Sequence, residues 1–151
     1  MRYFRSKNRP IILSTGMSTV DQIDRAVDIL GKNDLIILHA TSTYPADYEE
    51  LNLRVINAFQ DYYKVPIGYS GHETGIASSV AAAALGACMI ERHITLERSM
   101  WGSDQAASLG PKGIEQLVRD IRLVELAMGD GVKRVSKREE SVLKKLRRVH
   151  S

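Results

Sequence analysis

Four short apolar segments, separated by stretches with helical periodicity, constrain the fold of this chain more than any other feature. The segments are Pro10–Leu13, Leu35–Leu38, Val65–Tyr69 and Cys88–Ile90. Each has the length of a strand and lacks the apolar–polar alternation that marks a half-exposed strand. They recur at intervals of roughly 20–30 residues, the spacing that a βα unit of a parallel sheet requires. The sequence therefore predicts an α/β protein with four parallel strands.

The stretches between and after these segments carry apolar residues at helical spacing. They predict five helices, over Ser18–Gly31, Leu51–Tyr62, Gly75–Leu85, Ile114–Met128 and after Ser136. Ser18 and Asp21 are expected to form a capping box at the start of the first helix, and Ser136 and Glu139 another at the start of the last. The element order is then βαβαβαβα followed by one more helix.

Two architectures accommodate this order. One is a small doubly wound sheet, and the other is half of a (β/α)₈ barrel, whose full length is about 250 residues. The chain has 151 residues, enough for one domain with a core and too few for two ordinary domains. No glycine-rich dinucleotide or P-loop motif follows any of the strands, which argues against nucleotide binding.

Basic residues are concentrated at the carboxyl end of the chain. The net charge is +3, yet residues 132–151 hold eight lysines and arginines against two glutamates. We interpret 132–151 as a solvated amphipathic helix with an apolar side formed by Val142, Leu143, Leu146 and Val149. Nucleic-acid binding is the alternative, and we rank it last because no aromatic or glycine-rich element for reading a base accompanies the charges.

The composition also predicts where the protein resides. A single cysteine, Cys88, cannot form an internal disulfide, so a reducing, cytoplasmic setting is expected. The longest apolar run, residues 76–85, falls far short of the ~20 residues that span a bilayer. We therefore expect a cytoplasmic protein with no membrane partner.

Polar side chains cluster directly after each of the four strands. In a parallel α/β fold these strand ends lie on one rim, where active sites are built. Adjacent parallel strands are ~4.8 Å apart, so His72 and His93, each just after a strand, could meet at a single metal ion. The clusters that share this position are 14–16, 39–45, 70–75 and 91–93.

Each of these residues also has an ordinary structural interpretation. Two histidines without a third ligand do not define a metal site, and serines after strands are commonly helix caps or turn formers. Tyr44 could be a packing anchor, and Asp104 could form an Asx turn. Glu91 and Arg92 could pair with residues nearby and brace the rim.

Five segments taken together resemble successive motifs of a known family. They are PIILSTGM at 10–17, LHATSTYP at 38–45, GYSGHETG at 68–75, ERHITL at 91–96 and WGSDQAASL at 101–109. Over about residues 9–131 their order and spacing are similar to those of the sialic acid synthase (N-acetylneuraminate synthase) family. The resemblance implies strands five to eight of a (β/α)₈ barrel in residues 1–131, followed by the basic helix in 132–151.

The resemblance also implies an activity and a set of site residues. Family members condense phosphoenolpyruvate with N-acetylmannosamine or its 6-phosphate. His72 and His93 would ligate a divalent metal, usually Mn²⁺, while Tyr44 and Asp104 would contact the acceptor sugar. The residues implied for phosphoenolpyruvate binding are Ser14, Ser42 and Ser70.

Three motifs depart from the commonest family pattern. Ser-Gly-His at 70–72, Trp-Gly-Ser-Asp at 101–104 and Leu-Gly-Pro at 109–111 stand where many members read Ser-Asp-His, Pro-Gly-Pro-Asp and Leu-Glu-Pro. The first two variants look more like the branch that forms sialic acid 9-phosphate from the sugar 6-phosphate. A related nonulosonic or ketodeoxynonulosonic acid synthase is the alternative.

The family's first four βα units, which supply lysines that neutralise phosphoenolpyruvate, have no counterpart among these motifs. Only Arg92 and Arg98 lie in or near the motif loops. We therefore expect the chain to be a barrel fragment that is inactive alone, and to need either self-association or a missing N-terminal half. A non-catalytic half-barrel that requires a partner half is a further alternative.

Overall fold

The computed structural model describes residues 1–148, and within them the chain forms four strands, six α-helices and one short 3₁₀ helix. In chain order the elements are α1 (Arg2–Arg5), β1 (Ile11–Ser14), α2 (Val20–Leu30), β2 (Leu35–Ala40), the 3₁₀ helix (Tyr48–Glu50), α3 (Val55–Tyr63), β3 (Ile67–Gly71), α4 (Ala77–Ala84), β4 (Ile90–Arg92), α5 (Pro111–Met128) and α6 (Lys137–Leu146). The predicted alternation of strands and helices is confirmed.

The four strands form one parallel sheet whose order, β1-β2-β3-β4, follows the chain. Its buried core lies against one face, where Ile37 and Ile67 of the sheet pack with Ile23 and Ile56 of the helices. On the opposite face Ile12 is 50% exposed. A doubly wound sheet would reverse its strand order and carry helices on both faces. The sheet is therefore the half-barrel alternative.

The start of α2 corrects one prediction. The helix begins after Thr19, which forms the capping box with Gln22, and Thr19 N donates to Gln22 Oε1 at 2.8 Å. The predicted pair of Ser18 and Asp21 is wrong. The Ser18 hydroxyl instead donates to the Gly16 carbonyl, so it stabilises the preceding turn rather than the helix.

The last two helices, α5 and α6, follow the final strand. α5 buries Leu117 and leaves Leu126 82% exposed. α6 begins with the predicted capping box, in which Ser136 N donates to Glu139 Oε2 at 2.7 Å. Residues 149–151, which include Val149 of the predicted apolar side, lie outside the described residues. The division of the chain into a barrel part, residues 1–131, and a basic helix, residues 132–151, stays a prediction.

No helix within residues 1–148 combines the length and the apolar character needed to cross a membrane.

Candidate functional site

Three loops that follow β2, β3 and β4 meet at the carboxyl rim of the sheet. The loop after β2 is joined to the loop after β3 by a bond from Ala46 N to His72 O, at 3.0 Å. The segment after β4 pairs with a later part of the same loop, where Leu109 N donates to His93 O at 2.9 Å. The carbonyl oxygens of His72 and His93 therefore each accept a backbone hydrogen bond from another segment, which restrains both residues.

The imidazole rings of His72 and His93 lie next to each other. Their centroids are 5.1 Å apart, and their planes are nearly perpendicular at 85°. The Tyr44 ring packs against both, with its centroid 5.7 Å from that of His72 and 4.5 Å from that of His93. These three residues, from three different strand ends, form one cluster.

One ring nitrogen of His72 is held by the backbone. His72 Nδ1 lies 2.6 Å from the carbonyl oxygen of Thr41. A carbonyl oxygen only accepts, so Nδ1 carries the proton and donates it. In the neutral ring this leaves the Nε2 lone pair free for a metal ion, the arrangement in which a backbone partner orients a metal-binding histidine.

Asp104 completes the cluster from the loop after β4. Its Oδ2 atom lies 3.5 Å from His93 Nδ1, and both side chains are partly exposed. The Tyr44 hydroxyl donates to the Asp104 carbonyl oxygen at 3.1 Å, and lies 3.1 Å from the Ser108 hydroxyl. The structure thus brings Tyr44 and Asp104, the two residues implied for the acceptor sugar, beside the two histidines.

The three serines implied for phosphoenolpyruvate are placed differently from one another. Ser14 and Ser42 are exposed at the ends of β1 and β2. Ser70 is buried at 2% exposure, and its hydroxyl donates to Glu91 Oε1 at 2.6 Å. Ser42 lies so close to Gly16 that a β-carbon at Gly16 would collide with the Ser42 hydroxyl. A larger residue at position 16 would therefore require the Ser42 hydroxyl to turn away from its present place.

Arg92 is committed elsewhere and does not face the histidine cluster with a free charge. Its guanidinium forms an ion pair with Glu73 at 3.0 Å, and the two side chains are 5% and 0% exposed. Glu91 accepts the Ser70 hydrogen bond and Arg92 pairs with Glu73, so both side chains have partners on the neighbouring strand end. Arg98, the other nearby arginine, is exposed and donates through Nε to the Ser108 carbonyl.

Glu73 was not singled out by the sequence analysis. It is fully buried, and its Oε2 atom accepts a hydrogen bond from the Tyr69 hydroxyl at 2.8 Å. Burial, together with the Glu73 carboxylate, raises the pKa of Tyr69, so this phenol stays a donor. The available signal was a glutamate between a strand and an apolar helix, with an arginine at the next strand end.

His39 lies on the helix-facing side of the sheet, away from the histidine cluster. Its Nε2 atom is 2.7 Å from the carbonyl oxygen of Leu51, and its ring packs near those of Phe59 and Tyr69. Burial lowers the pKa of His39, because the charged ring loses its hydration. This histidine is part of the core.

The donor set of the cluster suits a divalent transition metal with open coordination positions. Within residues 1–148 no group of three or more His, Cys, Asp or Glu side chains is placed to hold a metal ion. His72 and His93 would supply two imidazole nitrogens, which suit first-row divalent metals. The remaining positions would then be filled by water or substrate, as at catalytic rather than structural metal sites.

A parallel half-barrel with its polar residues on the carboxyl rim has the architecture of part of a (β/α)₈ barrel. Residues 1–133 match the model of the NeuB family, and the chain belongs to that family. The family resemblance inferred from the five sequence motifs is thereby confirmed.

Named relatives support this assignment. The chain is 50% identical over 133 residues to the N-acetylneuraminate-9-phosphate synthase of Homo sapiens, covering 85% of this chain and 37% of that protein. It is 45% identical over 138 residues to the N,N'-diacetyllegionaminic acid synthase of Campylobacter jejuni, covering 88% and 41%. The chain therefore spans about two fifths of the length of these relatives.

The fold agrees with that of solved relatives. The N-acetylneuraminic acid (sialic acid) synthetase of Leptospira borgpetersenii superposes with a TM-score of 0.85 at 32% identity, covering 95% of this chain and 51% of that one. The spore coat polysaccharide biosynthesis protein spsE of Bacillus subtilis superposes with a TM-score of 0.82, also at 32% identity, covering 90% and 40%. The prediction of a partial (β/α)₈ barrel is confirmed.

Proposed function

We propose that this chain carries the metal-binding and acceptor-binding part of the active site of a synthase that condenses phosphoenolpyruvate with N-acetylmannosamine or its 6-phosphate. The observation that carries the proposal is the cluster of His72, His93, Tyr44 and Asp104 on one rim. Membership of the NeuB family and the activities for which the relatives are named support the same class of reaction. The products are sialic acid, or its 9-phosphate, and inorganic phosphate.

His72 and His93 hold the divalent cation in this proposal, and we assign Mn²⁺. When bound, the cation supplies Lewis-acid polarisation of the open-chain sugar aldehyde. Tyr44 and Asp104, which are joined through the bond from the Tyr44 hydroxyl to the Asp104 carbonyl, contact and orient the acceptor sugar. Because the Thr41 carbonyl accepts the Nδ1 proton of His72, Nε2 would be the ligand atom of this histidine.

Ser14, Ser42 and Ser70 donate hydrogen bonds to phosphoenolpyruvate in the same proposal. Its C3 attacks the aldehyde carbon of the acceptor and forms the new carbon–carbon bond. This leaves a cation at C2 and an alkoxide on the former aldehyde carbon. Water adds to the cation and passes one proton to the alkoxide. Phosphate then leaves with the electron pair of the C2–O bond and takes up the remaining hydroxyl proton, so that C2 becomes a ketone. To donate to phosphoenolpyruvate, the Ser70 hydroxyl would give up its present bond to Glu91 when the substrate binds.

The charge balance indicates that this part of the site needs a second half. Phosphoenolpyruvate carries nearly three negative charges, and a buried polyanion requires matching cations. Arg92 is paired with Glu73, so Arg98 is the other arginine near the described rim that could offset the charge of phosphoenolpyruvate. We propose that further βα units provide the missing cations, either from an N-terminal half or from a second copy, and that the isolated chain turns over slowly or not at all.

A chimera tests this proposal directly. Residues 1–133 replace the matching segment of the human N-acetylneuraminate-9-phosphate synthase, and phosphate release from phosphoenolpyruvate is measured with Mn²⁺ and either acceptor. Release that requires an acceptor and is lost in the His72→Ala chimera is the expected result. A folded chimera whose activity is unaffected by both His72→Ala and His93→Ala contradicts the proposed roles.

A synthase for a related nonulosonic acid is the second candidate, favoured by the 45% identity to the diacetyllegionaminic acid synthase. The same chimera, tested with a panel of acceptor sugars, separates the two.

Light scattering on the isolated chain tests whether it assembles with itself, and a monodisperse monomer argues against that. A cytoplasmic location, expected from the single Cys88, remains part of the proposal.

A further inference from the structure

An ion pair lies directly beneath the two histidines of the rim. Glu73 follows His72 in the chain, and Arg92 precedes His93. The carboxylate and guanidinium are 3.0 Å apart, and both side chains are almost completely buried on the helix-facing side of the sheet. Each member of the ion pair is therefore one residue away from a member of the histidine pair.

The ion pair joins two backbone segments at several points. Arg92 Nη2 donates to the Glu73 carbonyl oxygen at 2.5 Å, and Nη1 donates to the Gly75 carbonyl at 2.7 Å. The Glu73 carboxylate also accepts from the Tyr69 hydroxyl at 2.8 Å and from the Ser79 hydroxyl at 3.2 Å. The loop after β3 is thus fixed to the end of β4, to its own strand and to α4.

The backbone ladder between the two strands ends where the histidines begin. The last paired residues of β3 and β4 are Gly71 and Arg92, and His72 and His93 lie one position beyond that pair. A buried carboxylate–guanidinium pair is directional and, once desolvated, strongly disfavours separation of its two charges. The bonds of Arg92 to both the side chain and the backbone of Glu73 continue the link between the two segments beyond their last paired residues.

We propose that Glu73 and Arg92 are positioning residues for the histidine pair. They set the separation at which the imidazoles of His72 and His93 reach one cation. The inference rests on the metal site proposed above, and it predicts that loss of the ion pair weakens metal binding although neither residue is a ligand.

The test compares Glu73→Gln with Asp24→Asn in the full 151-residue chain. Asp24 is a matched control, because its carboxylate also accepts hydrogen bonds from tyrosines, Tyr62 at 3.2 Å and Tyr63 at 2.9 Å, on α3 and away from the rim. Mn²⁺ affinity is measured by electron paramagnetic resonance of free Mn²⁺. The ring-to-ring nuclear Overhauser effect between His72 and His93 is measured without metal.

Glu73→Gln is expected to weaken Mn²⁺ binding by about tenfold or more, the usual effect of losing a group that orients metal ligands. It is also expected to change the His72–His93 Overhauser effect. Asp24→Asn should lower the unfolding midpoint and leave both readouts unchanged. A folded Glu73→Gln with unchanged Mn²⁺ affinity and unchanged Overhauser effect overturns the proposal.

Two further arms keep the outcomes distinct. If the wild-type chain binds no Mn²⁺, the proposed metal site fails, and the Overhauser effect alone then decides whether the ion pair sets the ring separation. If Glu73→Gln does not fold, Tyr69→Phe removes a single donor to Glu73 and is expected to weaken Mn²⁺ binding by at least about twofold. An unchanged Mn²⁺ affinity in folded Tyr69→Phe then overturns the proposal.

Discussion

The Nδ1 atom of His72 lies 2.6 Å from the carbonyl oxygen of Thr41, across the gap between two neighbouring strand ends. Thr41 directly follows β2, and His72 directly follows β3. The bond fixes which ring nitrogen of His72 is protonated, and it also ties together the two loops that carry Tyr44 and His72. One contact therefore sets both the chemistry and the place of this histidine.

The first prediction concerns this tautomer. In long-range ¹⁵N–¹H spectra at mildly alkaline pH, His72 should show a protonated Nδ1 and an unprotonated Nε2, since only an N–H can donate to the carbonyl. His39 is the internal control, because its Nε2 faces the Leu51 carbonyl and should be the protonated nitrogen. Finding His72 protonated at Nε2 would remove the basis for the proposed ligand atom.

The second prediction contrasts two glycines. A β-carbon at Gly71 would lie 2.9 Å from Glu73 Oε2 and 2.9 Å from Tyr69 Cε1, so Gly71→Ala overpacks the ion-pair network. A loss of about 1–3 kcal/mol in the free energy of unfolding is expected. Gly113, in the first turn of α5, would as alanine meet only ordinary contacts with Leu109, which precedes the helix, and Gly113→Ala should stabilise by up to about 1 kcal/mol. Denaturant unfolding of both variants checks the opposite signs.

A third comparison tests the start of α2. Thr19→Ala removes the side chain of the N-cap residue and should cost about 1 kcal/mol. Ser18→Ala removes only an exposed bond to Gly16 O, 3.3 Å long, and should change the stability by less than about 0.5 kcal/mol. Equal losses in the two variants would mean that the capping box is not centred on Thr19.

Sequence patterns located the strands of this fold well and their ends less well. The run Leu35–Leu38 marks the apolar part of β2, but the ladder continues through His39 to Ala40, because backbone hydrogen bonds do not stop where apolar residues do. Likewise, Ser18 and Thr19 are both acceptable N-caps. The structure decides between them, because Thr19 forms the capping box with Gln22 while Ser18 bonds to Gly16 O.

The positions of site residues that directly follow strands were predictable. The orientation of a side chain that becomes buried in the tertiary structure was not. His72 and His93 follow adjacent strands, so their proximity comes from the topology. Arg92, in contrast, lies in a polar motif and was counted among the charges near phosphoenolpyruvate. The residue instead points to the helix-facing side, where α4 and Glu73 enclose it. That enclosure depends on tertiary packing, which a local motif does not encode.

The fourth prediction concerns pH. Burial lowers the pKa of His39 below its ordinary value of about 6.5. Below about pH 6.5, His39 of the unfolded chain binds a proton that the folded chain excludes. The contribution of neutral His39 to the free energy of unfolding is therefore intact above about pH 6.5, and it is lost as the pH falls toward the lowered pKa. His39→Gln should lose less stability than the wild type between about pH 8 and pH 5. Parallel curves for the two proteins would contradict this account.

The most direct test of the central claim is Mn²⁺ binding to the full 151-residue chain, followed by electron paramagnetic resonance, in the wild type, His72→Ala and His93→Ala. The matched control is His39→Gln, since His39 lies in the core. We predict one Mn²⁺ site per chain, with the affinity reduced by about tenfold or more in each of the two alanine variants and retained in His39→Gln. A wild-type chain that is folded and binds no Mn²⁺, or one whose affinity is unchanged by both alanine substitutions, would contradict a metal site at this rim.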